Sequence, residues 1–218
     1  MKHKHVKRLL MGSILFILAS FIYLASEAIT ANAWSTPEYS YSYNYISDLG
    51  VSKHLIVEGR EVLSPLAYVM NFGFKSHGIL FLIAYLLVLP LLRGKSKIIG
   101  LIPVFVHSIG IILVSEFPGE TYDKVSTHVI GATMAILGGN LALIMIGLAG
   151  RHLFPRLRTV SMIIGMVGIF ALVMMVTHNL GYPAVFERMS VYTIIAWDLF
   201  FGFNILRNYY RQSKVELN

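Results

Sequence analysis

Between residues 101 and 148 the sequence reads LIPVFVHSIGIILVSEFPGETYDKVSTHVIGATMAILGGNLALIMIGL, two long apolar segments joined by a short charged connection. The connection, from Glu116 to His128, contains three carboxylates, one lysine and one histidine. Each flanking segment is close to the roughly 20 residues that an α-helix needs to cross a hydrocarbon core of about 30 Å. The stretch therefore predicts two membrane-spanning helices that meet at one edge of the bilayer.

The composition extends this membrane assignment to the whole chain. Of its 218 residues, 56% are hydrophobic and only 13% are charged, with a mean hydropathy of +0.68. A soluble domain carries about 25% charged residues, and the chain has no cysteine for disulfides or thiolate chemistry. We therefore predict an all-α fold, a polytopic transmembrane bundle of six helices in one domain covering residues 1–218. The predicted spans are about 9–30, 68–92, 98–115, 128–148, 159–177 and 189–206.

The charged residues outside the spans predict the orientation of the bundle. Thirteen of the eighteen lysines and arginines fall on the side of the two termini, and most carboxylates fall on the opposite side. The positive-inside rule then makes both termini cytoplasmic and the long first loop, about Asn32 to Leu63, extracytoplasmic. Because the net charge of +7 is spread over helix ends, we expect a multi-pass protein of the cell membrane, with membrane lipids as partners and no nucleic acid. The sequence does not determine an oligomeric state.

The first loop has an unusual pattern of tyrosines, at positions 39, 41, 43 and 45. A period of two predicts an extended segment laid across the outer mouth of the bundle. It is either an aromatic belt at the headgroup layer or a lid that contacts a ligand. The ISDLG stretch that follows predicts a turn, and residues 54–63 predict a short interfacial helix.

Polar residues at the predicted outer helix ends form the first candidate site. A set of this kind is consistent with caps for frayed helix ends, with a lipid-headgroup or other ligand site, or with a catalytic site. Among them, Glu116, His128 and His178 are the catalytic candidates, as acid and base or as ligands of a divalent metal. Their spacing matches no HExxH-type motif, so we predict no cofactor and keep a metal as an alternative. The candidate ligand-binding residues are Asp48, Glu116, Asp123, His128, His178, Glu187 and Arg188.

A second candidate site lies in the middle of two predicted spans. His107 and Asp198 are each about 14 Å from the outer ends of their helices, at a rise of about 1.5 Å per residue. An aspartate at this depth costs on the order of 3 kcal/mol on insertion scales, so we predict that it forms a hydrogen bond with His107. The pair would act as a proton relay or polar cavity floor, or it would only hold two helices together. His77, in the outer third of its span, is predicted to be interfacial.

Three motifs also resemble a known family. They are ISDLG at 46–50, EFPG at 116–119 followed by HVIGA at 128–132, and FERMSVYTIIAW at 186–197. Together they resemble the six-span prokaryotic proteins grouped as a domain of unknown function, DUF 998. The first motif and the outer histidines are also similar to the Frag1/DRAM/Sfk1 group, whose members are associated with lipid handling and autophagy. The first resemblance implies no activity, but it implies six helices, a long first outer loop, and an outer mouth containing Asp48, Glu116, His128, Glu187 and Arg188.

Three functions are compatible with these features. The first is a non-catalytic membrane protein that binds or senses a lipid or small amphiphile at the outer mouth. The second is a membrane-embedded hydrolase or transferase that acts on lipid headgroups. The third is a small proton-coupled transporter in which His107 and Asp198 form the relay. The sequence ranks them in this order and leaves open whether the protein is an enzyme.

Overall fold

The structure, a computed structural model, describes residues 3–57, 59–119, 126–177 and 182–215. It confirms the all-α class, with six helices long and apolar enough to cross a membrane. The helices are α1 (His3–Ala33), α2 (Ala67–Val88), α3 (Ser96–Ile99), α4 (Leu101–Glu116), α5 (Thr127–Ala149), α6 (Leu157–Thr177) and α7 (Pro183–Val215). The short α3 continues into α4, so that the third span covers Ser96–Glu116.

The surface of the bundle is apolar where a soluble protein would be polar. On α6, for example, Ile163, Met166 and Phe170 are each more than half exposed. Contiguous apolar surface of this kind requires a hydrocarbon surrounding rather than water. The chain is therefore a multi-pass integral membrane protein.

Close contact between α4 and α5 depends on glycine. A Cβ atom on Gly110 would lie 2.6 Å from the carbonyl oxygen of Gly131, and one on Gly138 would lie 2.6 Å from the backbone nitrogen of His107. Small residues let two helix backbones approach in this way, which provides the packing contacts that lipid tails do not replace. The consequence is that His107 is held directly against the backbone of α5.

The buried side chains form two layers along the bundle axis. One layer is aromatic, with Phe16 at its centre and Phe81, Trp197 and Phe201 around it at ring-centroid distances of 5.2–5.7 Å. The other layer lies beneath the first loop, residues 34–66, and includes Ile46 from that loop. The first loop is therefore packed into the bundle and covers its end.

Two predictions about this loop were wrong. The tyrosine segment is not extended, because backbone bonds from Tyr43 and Asn44 to the Ser40 carbonyl close a turn. The described residues between 54 and 63 do not form a helix. They contain a two-stranded antiparallel hairpin, β1 (Leu55–Val57) and β2 (Arg60–Val62). Gly59 has a φ of 77° between the strands, which glycine adopts without strain, while β-branched side chains favour the extended strands.

Replacing Gly110 with alanine tests the contact between α4 and α5. The added methyl group has no space against the backbone of α5, so we expect G110A to lower the free energy of unfolding by about 1–3 kcal/mol, the usual cost of overpacking. Unfolding in mixed micelles, followed by circular dichroism, measures the change. The control is Ile109→Ala on the same helix, where the side chain is 49% exposed, and an equal loss in both variants would contradict the close contact.

Candidate functional site

The first turn of α7 holds the first loop in place through two adjacent charged residues. Oε2 of Glu187 accepts a hydrogen bond from the backbone N–H of Ile46 at 2.5 Å. Arg188 donates from Nη1 to the carbonyl oxygen of Asn44 at 2.6 Å and from Nη2 to the Tyr39 hydroxyl. Both charged residues are at most 7% exposed. Charge-assisted bonds of this kind are about twice as strong as neutral ones, and here they join the loop to the start of a spanning helix.

Two tyrosines of the loop surround the Arg188 guanidinium group. Its carbon lies 4.9 Å from the ring centroid of Tyr41 and 5.5 Å from that of Tyr39, within the range of cation–π attraction. Burial raises the pKa of Tyr39, so its hydroxyl keeps its proton and donates to the Tyr45 carbonyl at 2.9 Å. Burial also raises the pKa of Tyr41. The tyrosines thus act as contacts for a cation, and not only as an aromatic belt.

Glu27 belongs to the same cluster and was missed by the sequence analysis. It lies on α1, is 2% exposed, and accepts a hydrogen bond from the Tyr192 hydroxyl at 2.8 Å. Its Oε1 is 3.8 Å from Nε of Arg188, close enough for charge attraction but too long for a hydrogen bond. The available signal was an acid inside the first apolar helix, since ionisable residues in spans are usually functional or paired. We call Glu27, Tyr39, Asp48, Glu187 and Arg188 the loop-side cluster.

Asp48 of this cluster accepts a backbone hydrogen bond from the first loop. It is fully buried, and its Oδ2 accepts the backbone N–H of Tyr45 at 2.9 Å. Asp48 is the second residue of the 3₁₀ turn Ser47–Gly50. Behind the turn, Asn71 donates to the carbonyl oxygen of Gly50 at 2.9 Å. The ISDLG motif therefore forms a turn that is hydrogen-bonded to the loop on one side and to α2 on the other.

Of the three catalytic candidates, Glu116 and His128 lie in the described part of the chain, at the facing ends of α4 and α5. Glu116 forms an ion pair with Lys75, and both side chains are about half exposed. His128 is buried and makes a 2.9 Å hydrogen bond from Nδ1 to the carbonyl oxygen of Phe117. His178 and Asp123 lie outside the described residues. Among the residues that are described, no group of three His, Cys, Asp or Glu side chains is arranged to hold a metal ion.

The two residues of the predicted intramembrane pair are joined by a third, and we call the three the central chain. Nε2 of His77 lies 3.1 Å from Oδ2 of Asp198, and Nδ1 of His77 lies 3.3 Å from Nε2 of His107. All three residues are at most 1% exposed. The predicted direct contact between His107 and Asp198 was therefore wrong, because His77 lies between them. The prediction that His77 is interfacial was also wrong, since it is ten residues into α2, roughly 15 Å along the helix.

The direction of the hydrogen bonds determines how many protons this central chain holds. Nδ1 of His107 lies 2.7 Å from the carbonyl oxygen of Ala135, which only accepts, so this nitrogen donates. Each of the other two contacts then needs one proton between its two atoms. If Oδ1 of Asp198 carries no proton, every arrangement that satisfies all three contacts has three protons on the three side chains and zero net charge. Two neutral histidines account for two of these protons. The third can reside on Asp198, or it can make His77 or His107 doubly protonated, without breaking a contact.

A small cavity connects the central chain to the loop-side cluster. It has a volume of about 40 Å³, room for about three water molecules. His77 and His107 line it together with Glu187 and Ser47. Its remaining walls are apolar or aromatic: Tyr23, Ile46, Phe74, Ile111, Val114, Ala132, Ala135, Ile136, Val191, Ile194 and Ile195. Glu187 therefore belongs to both places, because its carboxylate holds the first loop and the residue is part of the cavity wall.

Replacing Arg188 with alanine tests the attachment of the first loop. The change leaves Glu27 and the Asn44 carbonyl buried without their cation. We therefore expect the free energy of unfolding to fall by about 3–5 kcal/mol, the usual cost of breaking a buried ion pair. Relative to the parent protein, R188A should show faster amide hydrogen exchange in residues 39–50, and a smaller change in the spanning helices. The control is Arg158→Ala, an exposed arginine at the start of α6. Unchanged exchange in the loop of R188A would contradict the attachment.

Comparison with known proteins identifies the family of this chain. The family model described as "Protein of unknown function (DUF998)" matches residues 17–204. None of the curated proteins and none of the solved structures matches the chain. The matched region contains all six spans in whole or in part, the first loop and every residue of the central chain. The chain therefore belongs to the DUF998 family of membrane proteins.

Proposed function

We propose that this protein is a proton-coupled membrane carrier. In this proposal the central chain of Asp198, His77 and His107 holds the exchangeable proton, and the cavity above it holds a small solute. The observation that carries the proposal is the cavity itself, which is lined by both histidines of the central chain and by Glu187. The sequence alone ranked lipid binding first and the transporter third. The cavity favours the transporter.

The first argument concerns the cost of the central chain. Ionisable residues at the centre of a membrane are expensive, and they usually belong to ion or proton pathways. A purely structural link between helices needs one donor and one acceptor, as Asn140 provides by donating to the Ser190 carbonyl at 3.0 Å. Three ionisable side chains in series exceed that need. Their shared extra proton is the property that a relay requires.

The second argument concerns access. The first loop covers the end of the bundle, and its Ile46 and Ser47 line the cavity. A carrier must close its site on one side before opening it on the other, and this arrangement supports a closed state with respect to the loop end. Opening toward that end requires the bonds from Glu187 to Ile46 and from Arg188 to Asn44 to separate.

A second candidate function is the binding of a small amphiphile without transport. The specific observation in its favour is the apolar character of most of the cavity wall, a feature of ligand sites in general. The volume of about 40 Å³ is too small for a lipid chain, so this function also needs the loop to open. The two candidates differ in whether the protein moves protons.

Replacing Asp198 with asparagine separates the two candidates. The side-chain amide introduced by D198N still donates a hydrogen bond to His77, so the fold is kept, but it has no exchangeable acid proton. Charge movement after a pH jump, recorded from proteoliposomes on a solid-supported membrane, should fall at least tenfold in D198N. The control is His152→Gln, because His152 lies in the loop between α5 and α6 and bonds the Leu91 carbonyl at 3.1 Å. Equal charge movement in D198N and the parent protein would exclude the central chain as the proton carrier.

Cross-linking the first loop tests whether it is the gate. The rings of Tyr43 and Tyr182 lie 6.0 Å apart, which brings the loop next to the start of α7. Because the chain has no cysteine, the double variant Tyr43→Cys/Tyr182→Cys has only these two thiols. Joining them with a short thiol-specific cross-linker that contains a disulfide should suppress the charge movement at least tenfold, and a reductant should restore it. The single-cysteine variants are the controls, and full activity of the cross-linked protein would show that the loop does not gate the cavity.

A further inference from the structure

We propose that Glu27 is the second partner of Arg188, the group that receives the guanidinium when the first loop leaves the end of the bundle. This proposal rests on the loop opening that the carrier function requires, and it adds a positioning residue to that step. Three features of α1 and α7 support it: the place of Glu27, its distance from Arg188, and two buried atoms that have no hydrogen-bond partner among the described residues.

Glu27 is held between two spanning helices. It lies on α1 and accepts a hydrogen bond from the Tyr192 hydroxyl of α7 at 2.8 Å. Tyr192 follows Arg188 by four residues on α7, so both side chains lie on the same face of that helix. The contacts of Glu27 with Tyr192 and with Arg188 therefore join α1 to α7. They do not depend on the first loop, and they keep Glu27 next to the arginine when the loop moves.

Arg188 lies between the first loop and Glu27. Its Nη1 and Nη2 atoms donate to the Asn44 carbonyl and to the Tyr39 hydroxyl, which both belong to the loop. Its Nε atom is 3.8 Å from Oε1 of Glu27, longer than the roughly 2.9 Å of a normal N–H···O hydrogen bond. Because an arginine side chain has several rotatable bonds, a change of rotamer closes this gap once the loop bonds are broken.

Two atoms at the gap are left over in the closed state. Within the part of the chain that the structure describes, Nε of Arg188 and Oε2 of Glu27 are buried without a hydrogen-bond partner. Such atoms raise the free energy of the state that contains them. This holds for either protonation state of Glu27, since a proton on Oε2 would also lack an acceptor. Pairing the guanidinium with the carboxylate supplies both missing partners, so it offsets part of the cost of opening.

Glu187 is less suited to be the second partner. It directly precedes Arg188, and adjacent residues on a helix do not face each other. Its Oε2 is bonded to the Ile46 N–H of the loop, so Glu187 loses a partner at the same moment as the arginine. Glu27 keeps its hydrogen bond with Tyr192 and is already in place.

Amide hydrogen exchange of the full-length protein in micelles tests the proposal at the Ile46 N–H, which is bonded in the closed state. Glu27→Gln leaves the loop bonds of Arg188 in place and removes the ionic partner of the open state. Exchange at Ile46 should therefore slow by about tenfold, the effect of losing one hydrogen bond to a charged group. Tyr39→Phe keeps the aromatic ring but removes a closed-state bond, so exchange should become about tenfold faster.

The opposite signs separate this role from a structural one. If Glu27 only supported the closed loop, Glu27→Gln would speed exchange at Ile46, as Tyr39→Phe does. The double variant gives a second comparison, since it should exchange more slowly than Tyr39→Phe alone. The matched control is Glu38→Gln, on an exposed acid of the same loop, which should exchange like the parent protein. Exchange in α2 and α5 checks that every variant is folded.

Two results would overturn the second partner. One is faster exchange at Ile46 in Glu27→Gln. The other is unchanged exchange, which would mean that water alone satisfies the released guanidinium group. The carrier function fails separately, since its test is the charge movement of Asp198→Asn. If Glu27→Gln slows exchange and no proton moves in the parent protein, Glu27 stands as the second partner and the carrier is excluded.

Discussion

The free-energy cost of an unpaired polar group in hydrocarbon governs this structure. Water cannot satisfy a carboxylate or an imidazole in the middle of a bilayer, so each must find a partner inside the bundle. Asp198, His77 and His107 meet this requirement as a series ending at the carbonyl oxygen of Ala135. The glycines of α4 and α5 make the ending possible, because they bring the His107 backbone against that helix. The contacts that pack these helices thus also provide partners for the buried polar groups.

The same constraint explains why the first loop is ordered against the bundle. Glu187 and Arg188 are almost completely buried at the start of α7, where leaving either one unpaired would be costly. Their partners are backbone groups of the loop, the N–H of Ile46 and the carbonyl oxygen of Asn44. Buried charges therefore attach the loop to the start of α7.

Membership of the DUF998 family covers the region that contains these features, residues 17–204. The family description assigns no activity, so the functional argument depends on the site and not on the relatives. Within the described residues, two histidines of the central chain and Glu187 line one cavity. Two of the residues proposed as a catalytic set have partners of their own near the facing ends of α4 and α5. Glu116 pairs with Lys75, and His128 bonds the Phe117 carbonyl.

The sequence by itself determined the number of spanning helices and the membrane class, because hydropathy along a helix is a local property. It also indicated that Glu187 and Arg188 matter and that Asp198 needs a histidine. Only the tertiary structure decided which histidine, why Glu27 joins the loop-side cluster, and that a cavity lies between the two polar centres. The physical reason is rotation: a helix turns by about 100° per residue, so the face that a side chain presents, and the partner it meets, depend on how distant segments pack.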